Sequence, residues 1–371
     1  MKTLLKQLVM ARSTADIGEL RAAKVLRDYL EPLGIDCDVD CWDTCRANFT
    51  AHLGSNGDRP GLLFAGHLDV VPPGDAVWSH PPFEPAEVEG KMYGRGTADM
   101  KSGLAAVAAA IAEIKNEDTE LAGDVIFTAT ADEETGSYGI KRFIEKRTPH
   151  LSRLQGIVVP EPTGLEIVTG HRGILWLEFR THGKTAHGSM PELGVNAITR
   201  MLPLLNKLNG YELPADEDPM LGRSTLSINE IHGGKATNVV PDACSLKIDI
   251  RTLPQQSQEG LIEHFQQMVR KIGVEHADFD ADIEVIKSVE ALLTDSNCEF
   301  VKSLRRATEG KKPGIVSYTT DGPWLAELGV PVVIFGPGEP SACHKPDEYV
   351  ELDQLERAKD HYKDLILECL A

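Results

Sequence analysis

Gly66-His67-Leu68-Asp69 and Gly94-Arg95-Gly96-Thr97-Ala98-Asp99 set imidazole and carboxylate groups directly beside strongly apolar segments. Asp132-Glu133-Glu134, Glu161 and His344 repeat the arrangement, each an apolar run followed by a hard ligand. Such a series is costly to hold near a core unless a cation neutralises it. His67 and Asp69 are two apart, which on a strand puts both on one face. A carboxylate beside a metal-binding imidazole fixes its tautomer and raises its basicity. Asp99 precedes an Ala-rich helix and is either an N-cap or a bridging carboxylate. Gly94 and Gly96 let the chain approach closely there. A dinucleotide loop is excluded, because Asp99 stands at the third glycine position and would repel a pyrophosphate.

Glu133 and Glu134 end an apolar strand. Neighbours on extended chain point in opposite directions, so one can ligate while the other acts as general base. Pro160 and Pro162 stiffen the loop that carries Glu161. Together the series offers two imidazoles and three ligating carboxylates. That mixture suits zinc, with cobalt or manganese as substitutes, better than calcium or a thiolate site. Three carboxylates against two divalent ions leave about +1, which favours hydroxide and two-metal hydrolysis.

The elements that must position these groups read as alternating strands and helices. Apolar strands are expected over 61–71, 124–131, 156–159 and 330–335. Helices are expected over 15–32, 101–115 and 136–146. That order predicts a mostly parallel, helix-covered sheet whose ligands gather at the carboxyl ends of strands. The middle of the chain reads as strand 174–181, helix 194–208, strands 224–231 and 244–250, helix 257–272 and strand 281–287. This is the βαββαβ, ferredoxin-like order. The expected division is a first catalytic part over 1–172, an inserted domain over 173–287 and a second catalytic part over 288–371.

Composition limits the alternatives. The chain has 371 residues, enough for two domains. Its 57 Asp+Glu against 38 Lys+Arg give a net charge of −19, which argues against nucleic acid and anionic membranes as partners. The N-terminus lacks the apolar run of a signal peptide, and the longest apolar stretch, 104–114, is too short to span a bilayer. A cytoplasmic location is therefore expected. Cys37 and Cys41 alternate with acids at strand periodicity, so core thiols are expected there rather than a metal site. Cys343 is the exception among the thiols, since it directly precedes His344.

At this point the chain resembles, over nearly its full length, the dinuclear-zinc amidohydrolases that include acetylornithine deacetylase, succinyl-diaminopimelate desuccinylase, aminoacylase and glutamate carboxypeptidase. The stretches that carry the resemblance are Gly66-His-Leu-Asp-Val-Val-Pro, Gly94-Arg-Gly-Thr-Ala-Asp-Met-Lys, Ala131-Asp-Glu-Glu-Thr-Gly, Glu161-Pro-Thr, Thr185-Ala-His-Gly-Ser-Met-Pro, Thr237-Asn-Val-Val-Pro-Asp and Cys343-His-Lys-Pro-Asp-Glu. Ser102 and Val159-Pro160 stand where the family often has glycine.

The resemblance implies one zinc held by His67, Asp99 and Glu161 and another by Asp99, Glu134 and His344. Asp99 bridges them and has a cis peptide to Met100. It implies further that Asp69 orients His67, and that Glu133 moves a proton from the attacking water to the leaving amine. The inserted domain becomes a lid and dimerisation domain. His187 then stabilises the oxyanion in a partner subunit's site, with Asn238 in support. Arg251 clamps the substrate carboxylate, and Arg172 and Thr319 contact substrate. The implied reaction removes an acetyl or succinyl group from the α-nitrogen of an amino acid, in a homodimer. Gly170-His-Arg-Gly-Ile-Leu-Trp-Leu-Glu resembles the deacetylase and desuccinylase branch more than the dipeptidase branch. The alternatives are a metallo-carboxypeptidase or dipeptidase at the same site, and a metal-binding homologue without turnover; Glu133, which a pure binding site does not need, argues against the latter.

Overall fold

Hydrophobic strands and an alanine-rich helix build the part of the molecule that carries the ligand series. The computed structural model describes residues 1–371 apart from Arg147, Thr148, Ala215, Asp216 and Glu309. The chain divides into two compact units. The first comprises Met1–Gly170, Thr294–Ile315 and Thr320–Ala371; the second comprises His171–Leu293 and Val316–Thr319.

In the first unit the strands run in the order Asp36–Cys41, Ala47–Leu53, Val125–Thr130, Gly61–His67, Leu154–Val159, Val332–Ile334 and Val168–His171. The four central ones, from Val125–Thr130 to Val332–Ile334, pair in parallel. The flanking pairs are antiparallel. Gly61–His67 and Val125–Thr130 are buried along their whole length, as expected of strands covered on both faces. Helix Ser102–Asn116 is buried on nearly every side and packs on the C-terminal helix Leu352–Leu370. Its alanines permit that close approach, and Tyr362 of the partner helix donates to the Phe335 carbonyl at 2.7 Å.

The second unit is a four-stranded antiparallel sheet in the order Thr225–Gly233, Ala243–Thr252, Gly173–His182 and Ala281–Val289. Helices Ala197–Leu208 and Gln258–Glu275 supply Met201, Leu204, Leu208, Phe265 and Ile272 to its own core. Asn196 and Ser257 cap these helices through their side-chain oxygens. Strand order and direction are those of the ferredoxin-like βαββαβ fold.

Several local expectations are corrected. The first long helix covers Leu20–Leu30, not 15–32. Residues before it are turns, and Glu19 is buried where it binds Arg46 at 2.8 Å. The strand expected to run to residue 71 ends at His67, so the same-face argument for His67 and Asp69 does not hold. Glu133 and Glu134 lie in a turn after Thr130, not on extended chain. Cys41 is exposed and Cys37 only half-buried, because their strand is at the sheet edge; all seven cysteines are free. Among the described residues no helix is long and apolar enough to cross a membrane.

Candidate active site

Each residue of the ligand series leaves a strand end or a loop pinned to one. His67 is the last residue of its strand and is 1% exposed. Its Nδ1 lies 2.9 Å from the Asp69 backbone carbonyl. A carbonyl only accepts, so Nδ1 carries a proton and Nε2 is the nitrogen left for other partners. Nε2 faces Asp99 Oδ1 at 3.1 Å and Glu161 Oε1 at 3.5 Å. Asp99 turns its other oxygen, Oδ2, to His344 Nε2 at 3.2 Å, and His344 Nε2 is 3.1 Å from Glu134 Oε1. Two triads result, His67–Asp99–Glu161 and Asp99–Glu134–His344, each with its ligand-type atoms within 4.8 Å of one another.

Asp99 is not a helix cap. It has non-helical backbone angles, the helix after it starts at Ser102, and no side chain caps that start. Its peptide bond to Met100 is cis. Gly96 adopts φ 85°, and a Cβ there would lie 2.6 Å from Val70 Cγ1. The Gly-Arg-Gly turn therefore makes room for backbone.

The carboxylate of Asp69 has contacts beyond the imidazole. Its Oδ1 is 3.6 Å from His67 Nδ1, while its two oxygens accept the Glu133 and Glu134 N–H groups at 3.2 and 3.1 Å. Asp69 thus orients the imidazole through its carbonyl and holds the Glu133–Glu134 turn through its side chain. That turn is also anchored by Asp132, which binds Arg46 at 3.0 Å and accepts from the Thr135 hydroxyl.

The electrostatics fit a divalent cation pair. Burial alone would pull His67 down, but the Glu161 charge and hydrogen bonds to Asp69, Asp99 and Glu161 hold its imidazole well above the ordinary range. Hydrogen bonds to Asp99 and Glu134 push His344 up to about 10. Burial, reinforced by Asp99, pushes Glu161 up to about 8. Burial also raises Asp99, but His344 and His67 outweigh it and hold that carboxyl below its usual range. Glu133 is raised well above the ordinary carboxyl range by burial first, then by Asp321, Glu161 and Glu134. Lone pairs and anions crowded at these distances need protons or cations between them, and two divalent ions would satisfy this donor set without protons.

The remaining candidates belong to the second unit. His187 is exposed; its Nδ1 is 2.7 Å from the Ser189 hydroxyl and accepts the Ser189 N–H at 3.2 Å. Asn238 is exposed and its carbonyl accepts the Gly188 N–H at 2.7 Å. Arg251 holds Asp249 with two nitrogens, at 2.8 and 3.0 Å. Arg172 donates to the Leu221 carbonyl at 2.8 Å, and Thr319 is half-buried. Sequence reasoning gave no role to Arg95 and Glu348, a fully buried ion pair beside Asp99. The signal was present as a charge inside the Gly94–Gly96 turn and an acid four residues after His344.

An α/β sheet that gathers two imidazoles and a surplus of carboxylates at one edge, with a further glutamate beside them, defines a metallohydrolase. Comparison with known proteins gives the family. Residues 63–368 match Peptidase family M20/M25/M40, and the chain belongs to it. It is 29% identical over 402 residues to the "Probable succinyl-diaminopimelate desuccinylase" of Staphylococcus aureus, covering 98% of this chain and 96% of that protein. It is 32% identical over 320 residues to the acetylornithine deacetylase of Myxococcus xanthus, covering 85% and 82%. The fold matches an M20 family metallo-carboxypeptidase from Sulfolobus solfataricus with a TM-score of 0.80 at 22% identity, covering 99% and 98%. The protein is a metal-dependent amidohydrolase.

Proposed function

We propose that this enzyme removes an acetyl or succinyl group from the α-nitrogen of an amino acid, using two zinc ions for which cobalt or manganese can substitute. The observation that carries the reading is Asp99, whose two oxygens face two different imidazoles. The relatives named desuccinylase and deacetylase support the acyl amino acid as substrate class. The two ions, when bound, would supply Lewis acidity toward the amide and a nucleophile at neutral pH. His67, Asp99 and Glu161 hold one, and Asp99, Glu134 and His344 the other.

Glu133 is the general base and then the acid. It takes a proton from the attacking water and delivers it to the departing amine. His187 stabilises the oxyanion. Because the Ser189 N–H donates to its Nδ1, the neutral ring carries its proton on Nε2, the atom left to donate outward. Asn238 supports it, Arg251 clamps the substrate carboxylate, and Arg172 and Thr319 complete the contacts.

The enzyme acts as a homodimer in which His187 serves the partner's site. Strand Thr225–Gly233 is an edge of its sheet, and Ile228, Ile231 and the neighbouring Ile198 and Leu202 are 36–48% exposed. An apolar edge of this kind is a liability unless covered, and a second copy can cover it isologously.

Side-by-side assay of N-acetylornithine, N-succinyl-diaminopimelate, other N-acyl amino acids and dipeptides tests the substrate class. The expected result is a kcat/KM for one acylated amino acid far above that for any dipeptide. Faster cleavage of dipeptides would make the enzyme a peptidase.

A further inference from the structure

The loop that carries Asp99 is gripped by a side chain from the far end of the chain. Glu348 is 1% exposed and Arg95 2% exposed, and the two form an ion pair through Glu348 Oε2. The other carboxylate oxygen, Oε1, accepts two consecutive backbone N–H groups, Ala98 at 2.9 Å and Asp99 at 3.1 Å. The Glu348 carbonyl accepts the Gly94 N–H at 2.9 Å. Gly96, in the left-handed region at φ 85°, turns the chain so that successive N–H groups converge on one anion, the geometry of a backbone nest. Here the nest is filled by a side chain of the protein itself.

A purely structural ion pair would require only Arg95. Glu348 instead divides its oxygens, and the second holds the peptide that leads directly into Asp99. Glu348 also follows His344 by four residues, and the Asp347 between them accepts the Ser79 N–H at 2.8 Å. The stretch from His344 to Glu348 is therefore clamped at one end onto the loop carrying the bridging carboxylate. At its other end stands the imidazole that Asp99 Oδ2 meets at 3.2 Å.

We propose that Glu348, braced by Arg95, is a positioning residue that fixes the Asp99 backbone and its register with His344, and so sets the affinity of the dinuclear centre. This rests on the metal reading above. Asp69 offers a parallel on the other side of the site, where a buried carboxylate likewise accepts two consecutive N–H groups, those of Glu133 and Glu134.

The test uses the full chain, stripped by chelation and titrated with cobalt(II), with binding read by dialysis and by visible absorption. Arg95→Met/Glu348→Gln removes both charges and keeps a carbonyl that can accept the two N–H groups. Arg95→Met/Glu348→Met removes the charges and the acceptor. Wild type is expected to bind two ions per chain and the Gln variant to stay close to it. The Met variant is expected to bind about 10–100-fold more weakly, with an altered spectrum. Wild-type affinity and spectrum in the Met variant, with only a lower melting temperature, would overturn the proposal. Equal loss in both variants would assign the effect to the charge pair and overturn the acceptor role. If the Met variant does not fold, Glu348→Asp carries the test, since it keeps the charge but withdraws it by one methylene. Weakened cobalt binding then supports the proposal, and wild-type binding overturns it. A wild-type chain that binds no cobalt fails at the earlier step, the metal reading itself.

Discussion

His67 owes its readiness as a ligand to one carbonyl. The Asp69 carbonyl accepts from Nδ1 at 2.9 Å, and Nε2 is left facing carboxylates. Glu133 differs from its neighbours in making no ligand-type contact with either imidazole while sharing their burial. Glu133→Gln should therefore lower kcat by about 10²–10⁴-fold while metal content and melting temperature stay near wild type. Steady-state kinetics with metal analysis check this, and near-normal turnover would remove Glu133 from the proton path. Asp69→Ala has a different signature. It deletes the acceptor of two N–H groups, so it should destabilise by about 1.5–3 kcal/mol and weaken metal binding about 10–100-fold. Denaturant titration and cobalt binding read the two effects separately. His67, Glu134 and Glu161 were legible in the sequence because each comes after an apolar run, whereas Asp99 and His344 stand among glycines, prolines and polar residues and were reached through the family motifs. The double use of Asp69 was not, since a strand that ends at His67 and a turn at Glu133 depend on tertiary contacts that no local pattern encodes.

Strands and helices matter here through how closely they let the ligand-bearing loops approach. A Cβ on Gly103, at the start of the central helix, would overlap the Pro160 carbonyl oxygen, and one on Gly336 would crowd the Glu161 carbonyl. Gly103→Ala should therefore displace the Glu161 loop and cost about 1–3 kcal/mol or more, seen as a lower melting temperature. Asp124, just before strand Val125–Thr130, accepts the Ser55 N–H and hydroxyl at 2.9 and 3.0 Å and meets His52 at 3.0 Å. Burial raises its carboxyl, but His52 and Ser55 outweigh this and hold it down to about 2. The unfolded carboxyl titrates at about 4, so the unfolded chain takes up the proton first and acid favours unfolding. The stability advantage of wild type over Asp124→Asn should be complete above about pH 4 and disappear as pH falls through about 2; denaturant midpoints measured across that range check it. Long periodic elements were readable: the buried parallel strands, the alanine-rich helix and the βαββαβ order all follow from hydrophobic spacing. Ends were less so. The helix expected from residue 15 starts at Leu20, because Gly18 turns the chain through φ 80° and the Leu20 N–H donates to the Cys45 carbonyl at 2.9 Å, a partner far along the chain.

At the scale of the molecule, the net charge of −19 makes polyanions poor partners and leaves cations as the natural complement of the site. The proposed pairing of chains rests on the exposed apolar edge of the second unit. If His187 serves the partner's site, mixing His187→Ala chains with Glu133→Gln chains should restore part of the activity that each lacks, because one hybrid site is intact. No restoration would make each site complete within its own chain. The central claim, a two-metal amide hydrolase with Glu133 as its base, is tested most directly by activity against bound metal. Chelator-stripped protein receives measured equivalents of zinc, and hydrolysis of its best N-acyl amino acid is followed. The account predicts no turnover without metal, a rise that reaches its maximum at two ions per chain, and silence in Glu133→Gln carrying both ions. Full turnover in stripped protein, or in the loaded Glu133→Gln variant, would contradict it.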